Sequence, residues 1–538
     1  MAEKKLDYMN IPAEKFEFVN HGERISDKAF EDKPIGYFKD AWIRFCKNKA
    51  SVVALVIIVF VVLYAFLMPI FNTTVDPTFL ASYYDRMAPR HTALREYGIM
   101  DGGVNRNFSE VSLLTKVGIG VGAADYEGKG DKSVKDGLES EYQPMLNVGN
   151  VIEKATGRRN KGKEIIDRTY PGRIDTYLEL GFMYQSIQQS ELKNIQAWEE
   201  ETGLKVLYPL VEANEYNPAV GTTEEANIWY KANKSYVPMI TGDNGKVKAL
   251  ESPFYSADLV IEDNYKRDGE GNPIYWEYTG GGSHETAQLK IRVLYYNYYY
   301  YQNGHEPNYL FGTDSQGYDL SLRMADGIKL SLLVAVCVSV INFIIGAMWG
   351  AVSGYYGGTT DIVMQRITDI LGGVPFMVVA TLFQIHLATK VGAIPSLLFA
   401  FVVTGWLGTA ARVRTQFYRF KNQEYIMAAR TLGARDRRII WKHIFPNSLG
   451  TLITSSALVI PGVINQESML SYLGIVKLGT SDATSLGTLL SDASKIWTDH
   501  PHLMIFPALV LSLLMICFNL FGNGLRDAFN PSLRGVEE

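Results

Sequence analysis

The chain has 538 residues with 52 Lys and Arg against 57 Asp and Glu, and its three cysteines are Cys46, Cys337 and Cys517. A net charge of −5 on this length gives no bulk attraction to nucleic acid, and the cysteine spacings offer neither a zinc ligand set nor an internal disulfide for the long polar stretch. The mean hydropathy near zero averages two populations: residues 51–70 and most of 328–522 are strongly apolar, whereas 1–49 and 72–327 are polar.

Before the first apolar run, Phe38, Ala41, Trp42 and Phe45 form a stripe with Lys39, Arg44 and Lys47 among them. The pattern fits a helix lying on a membrane surface, and equally an N-terminal extension of the span. Residues 51–70 are uncharged, long enough to cross a hydrocarbon core of about 30 Å at about 1.5 Å per residue. The run starts too late and is too long for a cleaved signal peptide, so an uncleaved first span is expected.

The polar stretch that follows carries globular signals. Gly118, Gly120 and Gly122 lack dinucleotide-binding spacing and read as a flexible loop. Gln185 to Thr202 reads as a helix ended by Gly203, and Leu289, Ile291 and Val293 alternate with polar neighbours as in a strand. Glycine-rich turns are expected at 268–272 and 279–282. Tyr295, Tyr296, Tyr298, Tyr299, Tyr300 and Tyr301 fit a surface strand with packed aromatics, or an interface. This content of aromatics and turns argues against disorder.

Five further spans are predicted at about 329–354, 362–389, 393–412, 448–474 and 503–522, the second of these interrupted by Arg366, Asp369 and His386. Lys39, Arg44, Lys47 and Lys49 crowd the start of the first span and imply a cytoplasmic N-terminus. Counting alternately, 411–447 is cytoplasmic too, with nine Lys or Arg against Glu424 and Asp436. The outward loop 475–502 has only Lys477 and Lys495 against Asp482, Asp492 and Asp499.

Between two of these spans, Glu424 to Pro446 reads as a helix-turn-helix. Tyr425, Ala428, Ala429 and Leu432 share one helical face, and Gly433 stops the helix. Asp436 is expected to cap a second helix carrying Ile439, Ile440 and Ile444, which Pro446 closes. Small residues on an exposed face let a partner approach the backbone. Within the spans, Asn465, Gln466 and Glu467 are candidates for either a bundle contact or a translocation pathway, and Asp369 for an ion pair with Arg366. Gly312 and Gly317 have phosphate-loop spacing but are followed by Tyr318 and Asp319, so the chain offers no ATP site. Its eight histidines form no catalytic or metal-helix motif.

Three blocks together resemble the C-type permease subunit of oligopeptide/dipeptide/nickel ABC importers: Phe311 to Leu332, the segment Glu424 to Pro446, and Ile464 to Ile475 followed by Phe518 to Arg534. The first holds the family's motif residues Gly312, Thr313, Asp314 and Asp319; the second resembles the permease Glu-Ala-Ala motif through Ala428, Ala429, Gly433 and Pro446. Met427 stands where that motif has Glu, His443 and Phe445 replace its isoleucine and leucine, and Tyr318 replaces an Arg. The resemblance implies a polytopic α-helical membrane protein with six transmembrane helices of the ABC type I importer permease fold. About 210 residues, roughly 91–304, exceed the family's usual length and are expected to be an inserted extracellular α/β or α+β domain.

The implied layout is a cytoplasmic tail with interfacial helix at 1–50, a span at 51–70, an extracellular segment at 71–327, a five-helix core at 328–522 with a cytoplasmic coupling loop at 413–446, and a cytoplasmic tail at 523–538. The implied work is import of oligopeptide through a bacterial cytoplasmic membrane, with ATPase coupling through Glu424, Tyr425, Ala428, Ala429, Leu432, Gly433 and Pro446. The chain is then no enzyme and binds no metal or cofactor; ATP and Mg sit on two cytoplasmic ATPase subunits. Further implied partners are a second permease subunit, an extracellular peptide-binding protein, the peptide and membrane lipid. The competing readings are a receptor or scaffold acting through the insert, a secondary transporter, and an importer of dipeptides or metal chelates.

Overall fold

The computed structural model describes residues 36–71, 83–95, 97–160, 163–212, 226–233, 237–241, 247–249, 258–280, 287–476 and 484–529. The tail before Gly36, the turn at 281–282, Lys477, Asp482 and the chain after Phe529 lie outside the described residues.

Among the described residues, five helices are long and apolar enough to cross a membrane: Lys49–Ile70, Leu320–Tyr356, Ala393–Phe420, Asp436–Tyr472 and His502–Phe529. The expected span at 362–389 is instead two helices, Gly358–Gly372 and Phe376–His386, bent by 72°. Gly372, Gly373 and Pro375 fall at the bend, where glycine weakens the helix and proline removes a donor and blocks continuation. The count is therefore five, or six if the bent pair makes one span. The other spans outrun their apolar stretches, because capping and packing, not hydropathy, set where a helix ends. Helix 320–356 begins at the Asp319 cap, whose carboxylate accepts from Ser321 N at 2.7 Å. The last helix runs on to Phe529, past the expected start of a tail at 523.

The first span buries Ala54, Ile58, Val61 and Ala65, spaced by four, three and four, against Ile328, Ala335, Leu514 and Phe518. Its opposite face, with Val56, Phe60, Leu63 and Phe66, is exposed and suits lipid. Gly346, Gly350 and Gly354 form a small-residue stripe on helix 320–356 that lets residues 406–417 approach to backbone contact. In the N-terminal helix Tyr37–Lys47 the apolar stripe divides: Ala41 and Phe45 are buried, Phe45 against Phe521 at 5.5 Å, whereas Phe38 and Trp42 are exposed.

The inserted region is α+β. Strands β1 (Gly103–Phe108), β2 (Met145–Val148), β3 (Ile152–Asn160) and β4 (Lys163–Asp175) form one sheet, in the order β1-β4-β2 with β3 also on β4. Strands β5 (Phe182–Gln188) and β6 (Leu207–Tyr208) belong to a second, with the short pair β7 (Met239–Thr241) and β8 (Val247–Ala249) apart from it. Strands β9 (Trp276–Gly280) and β10 (Gln288–Leu294) complete the second sheet, ordered β5-β10-β6 with β9 on β10. Every pairing among the described strands is antiparallel, which distinguishes this arrangement from the α/β alternative. Leu289, Ile291 and Val293 bury one face of β10.

Three local expectations fail here. Residues 185–188 finish strand β5, and the helix is Gln189–Thr202, closed by Gly203 at φ 74°. The glycines at 118, 120 and 122 lie in a buried helix, Glu110–Ala124, where a Cβ would strike Tyr230, Gly137 O and Trp229 respectively; they serve close packing rather than a loop. The tyrosine run is a helix, Tyr295–Asn303, with Tyr295, Tyr296, Tyr298 and Tyr299 buried, so it is neither a surface strand nor an open interface.

The insert leaves and rejoins the bundle at one place. Arg86 N donates to Asp314 O at 2.9 Å, Thr313 N to Met87 O at 3.2 Å, and Arg90 N to Tyr309 O at 2.9 Å. Met87 N donates to Thr313 Oγ1 at 2.9 Å. Gly312, at φ 81°, lies against Met87 O where any side chain would collide.

Candidate functional site

The segment after helix 407–420 is a short helix, Glu424–Thr431, ended by a glycine in the left-handed region: Gly433 has φ 81°. Ala434 N donates to Ala429 O and Gly433 N to Arg430 O, both at 3.0 Å, the double hydrogen bond of a Schellman stop. The following residues correct the expected helix-turn-helix. Asp436 lies inside the next helix rather than capping it, and accepts from Tyr355 Oη at 2.6 Å. Pro446 does not close that helix. A wide π turn at Ile439–Ile444 precedes it and a regular helix, Phe445–Ala457, continues through it. The widened turn accommodates a residue that has no N–H and crowds the carbonyl one turn back.

This segment is mounted on the bundle by one face and open on the other. Ile426, fully buried, packs into a cluster with Ile439, Ile440, Ile444, Val413 and Phe417. Arg430 Nη2 donates to Tyr355 Oη at 3.2 Å, tying the short helix to the end of helix 320–356. Tyr425, Met427 and Ala428 are exposed, Leu432 is 87% exposed, and Gly433 has open space where a Cβ would stand. Ala429 is half-buried and Glu424 and Pro446 are exposed. The expected face of Tyr425, Ala428, Ala429 and Leu432 is thus presented outward, and Met427 joins it.

The three polar residues at 465–467 are split. Glu467 is 1% exposed and accepts from Ser331 Oγ at 2.9 Å and Ser471 Oγ at 3.0 Å. It joins its own helix to helix 320–356. Asn465 and Gln466 are exposed on the other side of helix Val459–Tyr472. Arg366 Nη1 lies 3.5 Å from Asp369 Oδ2 on an exposed face.

The motif before helix 320–356 forms turns and a helix cap, and its Asp314 also lines a cavity of about 350 Å³ with Gln316, Arg323, Ser471 and Thr488. Asp314 accepts from Gln316 N at 2.8 Å and Tyr318 N at 2.9 Å, and lies 3.3 Å from Arg323 Nε. The guanidinium of Arg323 covers the Tyr318 ring at 4.4 Å. Thr313 bonds the backbone of Tyr84 and Met87.

One cluster carries no sequence motif. Asp361 is buried and takes both Nε and Nη2 of Arg414, the Tyr418 hydroxyl at 2.6 Å and the Ser353 hydroxyl. It joins the ends of helices 320–356, 358–372 and 407–420 beside the coupling segment. The partners of Asp361 lie 8, 53 and 57 positions from it in the chain, so periodicity could not reveal the cluster.

A bundle of apolar helices with a short exposed helix between two of them is the architecture of an integral membrane protein. Residues 344–535 match the binding-protein-dependent transport system inner membrane component, and residues 36–89 match the N-terminal TM domain of oligopeptide transport permease C. The oligopeptide transport system permease protein OppC of Haemophilus influenzae is 45% identical over 231 residues, 43% of this chain and 72% of that protein. OppC of Bacillus subtilis is 40% identical over 225 residues, 42% of this chain and 72% of its own. The dipeptide transport system permease protein DppC of Bacillus subtilis is 40% identical over 226 residues, 42% of this chain and 69% of its own. The chain belongs to this family of ABC importer permeases, in its oligopeptide and dipeptide group. A chain of the inward-facing MetNI methionine ABC transporter aligns over 38% of this chain and 96% of its own at 15% identity, with a TM-score of 0.31, too slight a likeness to bear on the argument.

Proposed function

We propose that the chain is the transmembrane permease subunit of an ATP-driven oligopeptide importer in a bacterial cytoplasmic membrane. It forms half of the translocation pathway, and a second permease subunit forms the other half. Asn465 and Gln466, exposed in the isolated chain, face that shared pathway. Two cytoplasmic ATPase subunits, which bind ATP and Mg, dock on the face of Tyr425, Met427, Ala428 and Leu432. N- and C-termini are cytoplasmic. The insert is extracellular and receives the peptide-binding protein.

Closure of the ATPase pair on ATP pulls the docking helix, which moves the bundle as a rigid lever because Ile426 and Tyr355 fasten it to helix 320–356. The bundle then opens outward to take peptide, and hydrolysis resets it. Coupling requires that the lever bind the two ATPase states differently. The names of the relatives support the cargo class, and the excess of basic residues in 411–447 supports the orientation. Helix length supports the separation of tasks: the 37 residues of helix 320–356 span roughly 55 Å, with the insert at one end and Tyr355 at the other. The observation that carries the proposal is the exposed face of Tyr425, Met427, Ala428 and Leu432 on a helix whose other side is locked to the bundle.

Ala428→Trp tests the docking face without backbone strain, and Gly433→Trp tests the face and the turn together. Both are expected to insert in the membrane normally, to lose co-purifying ATPase and to lower peptide uptake. Unchanged uptake in both variants would overturn the coupling role.

A further inference from the structure

The base of the insert encloses a cavity of about 300 Å³ that the docking helix and the polar span do not touch. Arg90 lines it with a side chain only 2% exposed. Its Nε and Nη1 find no hydrogen-bond acceptor among the described residues, and Nη2 lies 3.9 Å from Asp175 Oδ2, too far for a hydrogen bond. The rings of Tyr177 and Tyr296 flank the guanidinium at 4.9 and 5.2 Å. Those contacts hold the group in place and leave its donors open. A buried cation with unmet N–H groups is a site for an anionic acceptor, above all a carboxylate.

The rest of the lining limits which anion enters. Asp101, Glu141, Asp175 and Glu306 line the cavity against the two cations Arg90 and Arg95. Asp101 is engaged by Arg173 at 2.7 Å, whereas Glu141 is exposed. This acidic excess repels phosphate and other polyanions and attracts an ammonium group. Tyr142 and Tyr300 add ring faces, which suit both a cation and an apolar side chain. The volume is at the lower end of small-molecule sites, which suits an amino acid or a dipeptide and excludes a longer folded ligand.

We propose that this cavity binds a small zwitterion, a free amino acid or dipeptide, with its α-carboxylate on Arg90 and its α-ammonium toward Glu141 and Glu306. The site stands on the insert's own residues. Its failure would leave the importer reading intact, and a failed uptake assay would leave the site intact.

Calorimetric titration of the full-length chain in lipid nanodiscs tests the proposal. The probes are phenylalanine, Ala-Phe, N-acetyl-phenylalanine and N-acetyl-phenylalaninamide. Phenylalanine or Ala-Phe is expected to bind saturably and the capped amide not at all. Arg90→Gln weakens the free ligand by about tenfold or more. Glu141→Gln, at an exposed position that leaves folding unaffected, weakens phenylalanine while leaving N-acetyl-phenylalanine unchanged. A peptide held in the translocation pathway would be indifferent to both substitutions. Equal binding of free and capped ligands, no binding of either free probe, or wild-type affinity in Glu141→Gln and Arg90→Gln together would overturn it.

Discussion

Asp361 takes Arg414, Tyr418 and Ser353 at once. Removing its carboxylate strands the Arg414 guanidinium, which is two-thirds buried, so Asp361→Ala is expected to cost about 2–4 kcal/mol. The double variant Asp361→Ala with Arg414→Ala leaves no orphan charge and should cost less than the single one. Thermal unfolding of the purified chain measures both, and a double variant worse than the single one would refute the pairing argument. Glu467 bridges two helices in the same way. Glu467→Gln keeps a hydrogen-bonding group against Ser331 and Ser471 and should retain stability, whereas Glu467→Ala should lose about 1–3 kcal/mol.

At the scale of elements, two junctions carry predictions. Helices 320–356 and 407–420 meet at Gly350, where a Cβ would press on Ala410 O and Val413. Gly350→Leu is expected to separate them and abolish the folded yield, read as loss of the monodisperse peak in size-exclusion chromatography, while exposed Gly462→Leu in helix 459–472 is tolerated. The second junction lies between the insert and the start of the last helix, at His500. Burial first, then Arg106 and Arg86, hold its imidazole below the ordinary pKa of 6.5, against the opposing pull of Asp499 and Asp85. Below pH 6.5 the unfolded chain takes up a proton that the folded one refuses. The unfolded state then binds more protons, and stability falls as pH drops through that window. His500→Gln should flatten this part of the stability profile; an unchanged pH dependence would exclude His500 as its source.

At the scale of the molecule, the insert is a second folded body whose two chain ends leave and rejoin the bundle side by side. Residues 84–90 and 309–319 bond to each other directly, so excising about 95–302 and closing the gap with a short linker should leave the helical bundle folded. If the insert receives the peptide-binding protein, this deletion lowers uptake when the binding protein is limiting. Wild-type uptake together with wild-type affinity for the binding protein would reject that role. The closeness of its two ends also explains in physical terms how so long an addition is tolerated: chain ends held together by the bundle add little loop-closure entropy.

Much of the transport reading was legible in the chain itself. Apolar runs marked the long helices, and the face of Tyr425, Ala428, Ala429 and Leu432 with Gly433 marked the short helix and its stop, because a helix period and a left-handed stop are local properties. The alternation of Leu289, Ile291 and Val293 marked β10 for the same reason. What escaped the sequence depended on partners distant in the chain. Tyrosine-rich 295–303 and glycine-bearing 110–124 became buried helices because surrounding residues closed over them, and the bend at 372–376 opposed an apolar pattern that read as continuous. Asp361 with Arg414, Glu467 with Ser331, and Arg90 in its cavity were brought together by folding alone. Local periodicity determined which segments are long apolar helices and where the short exposed one stops; only tertiary closure decided which charges are buried and what they face, because the cost of burying a charge depends on neighbours that sequence spacing does not reveal.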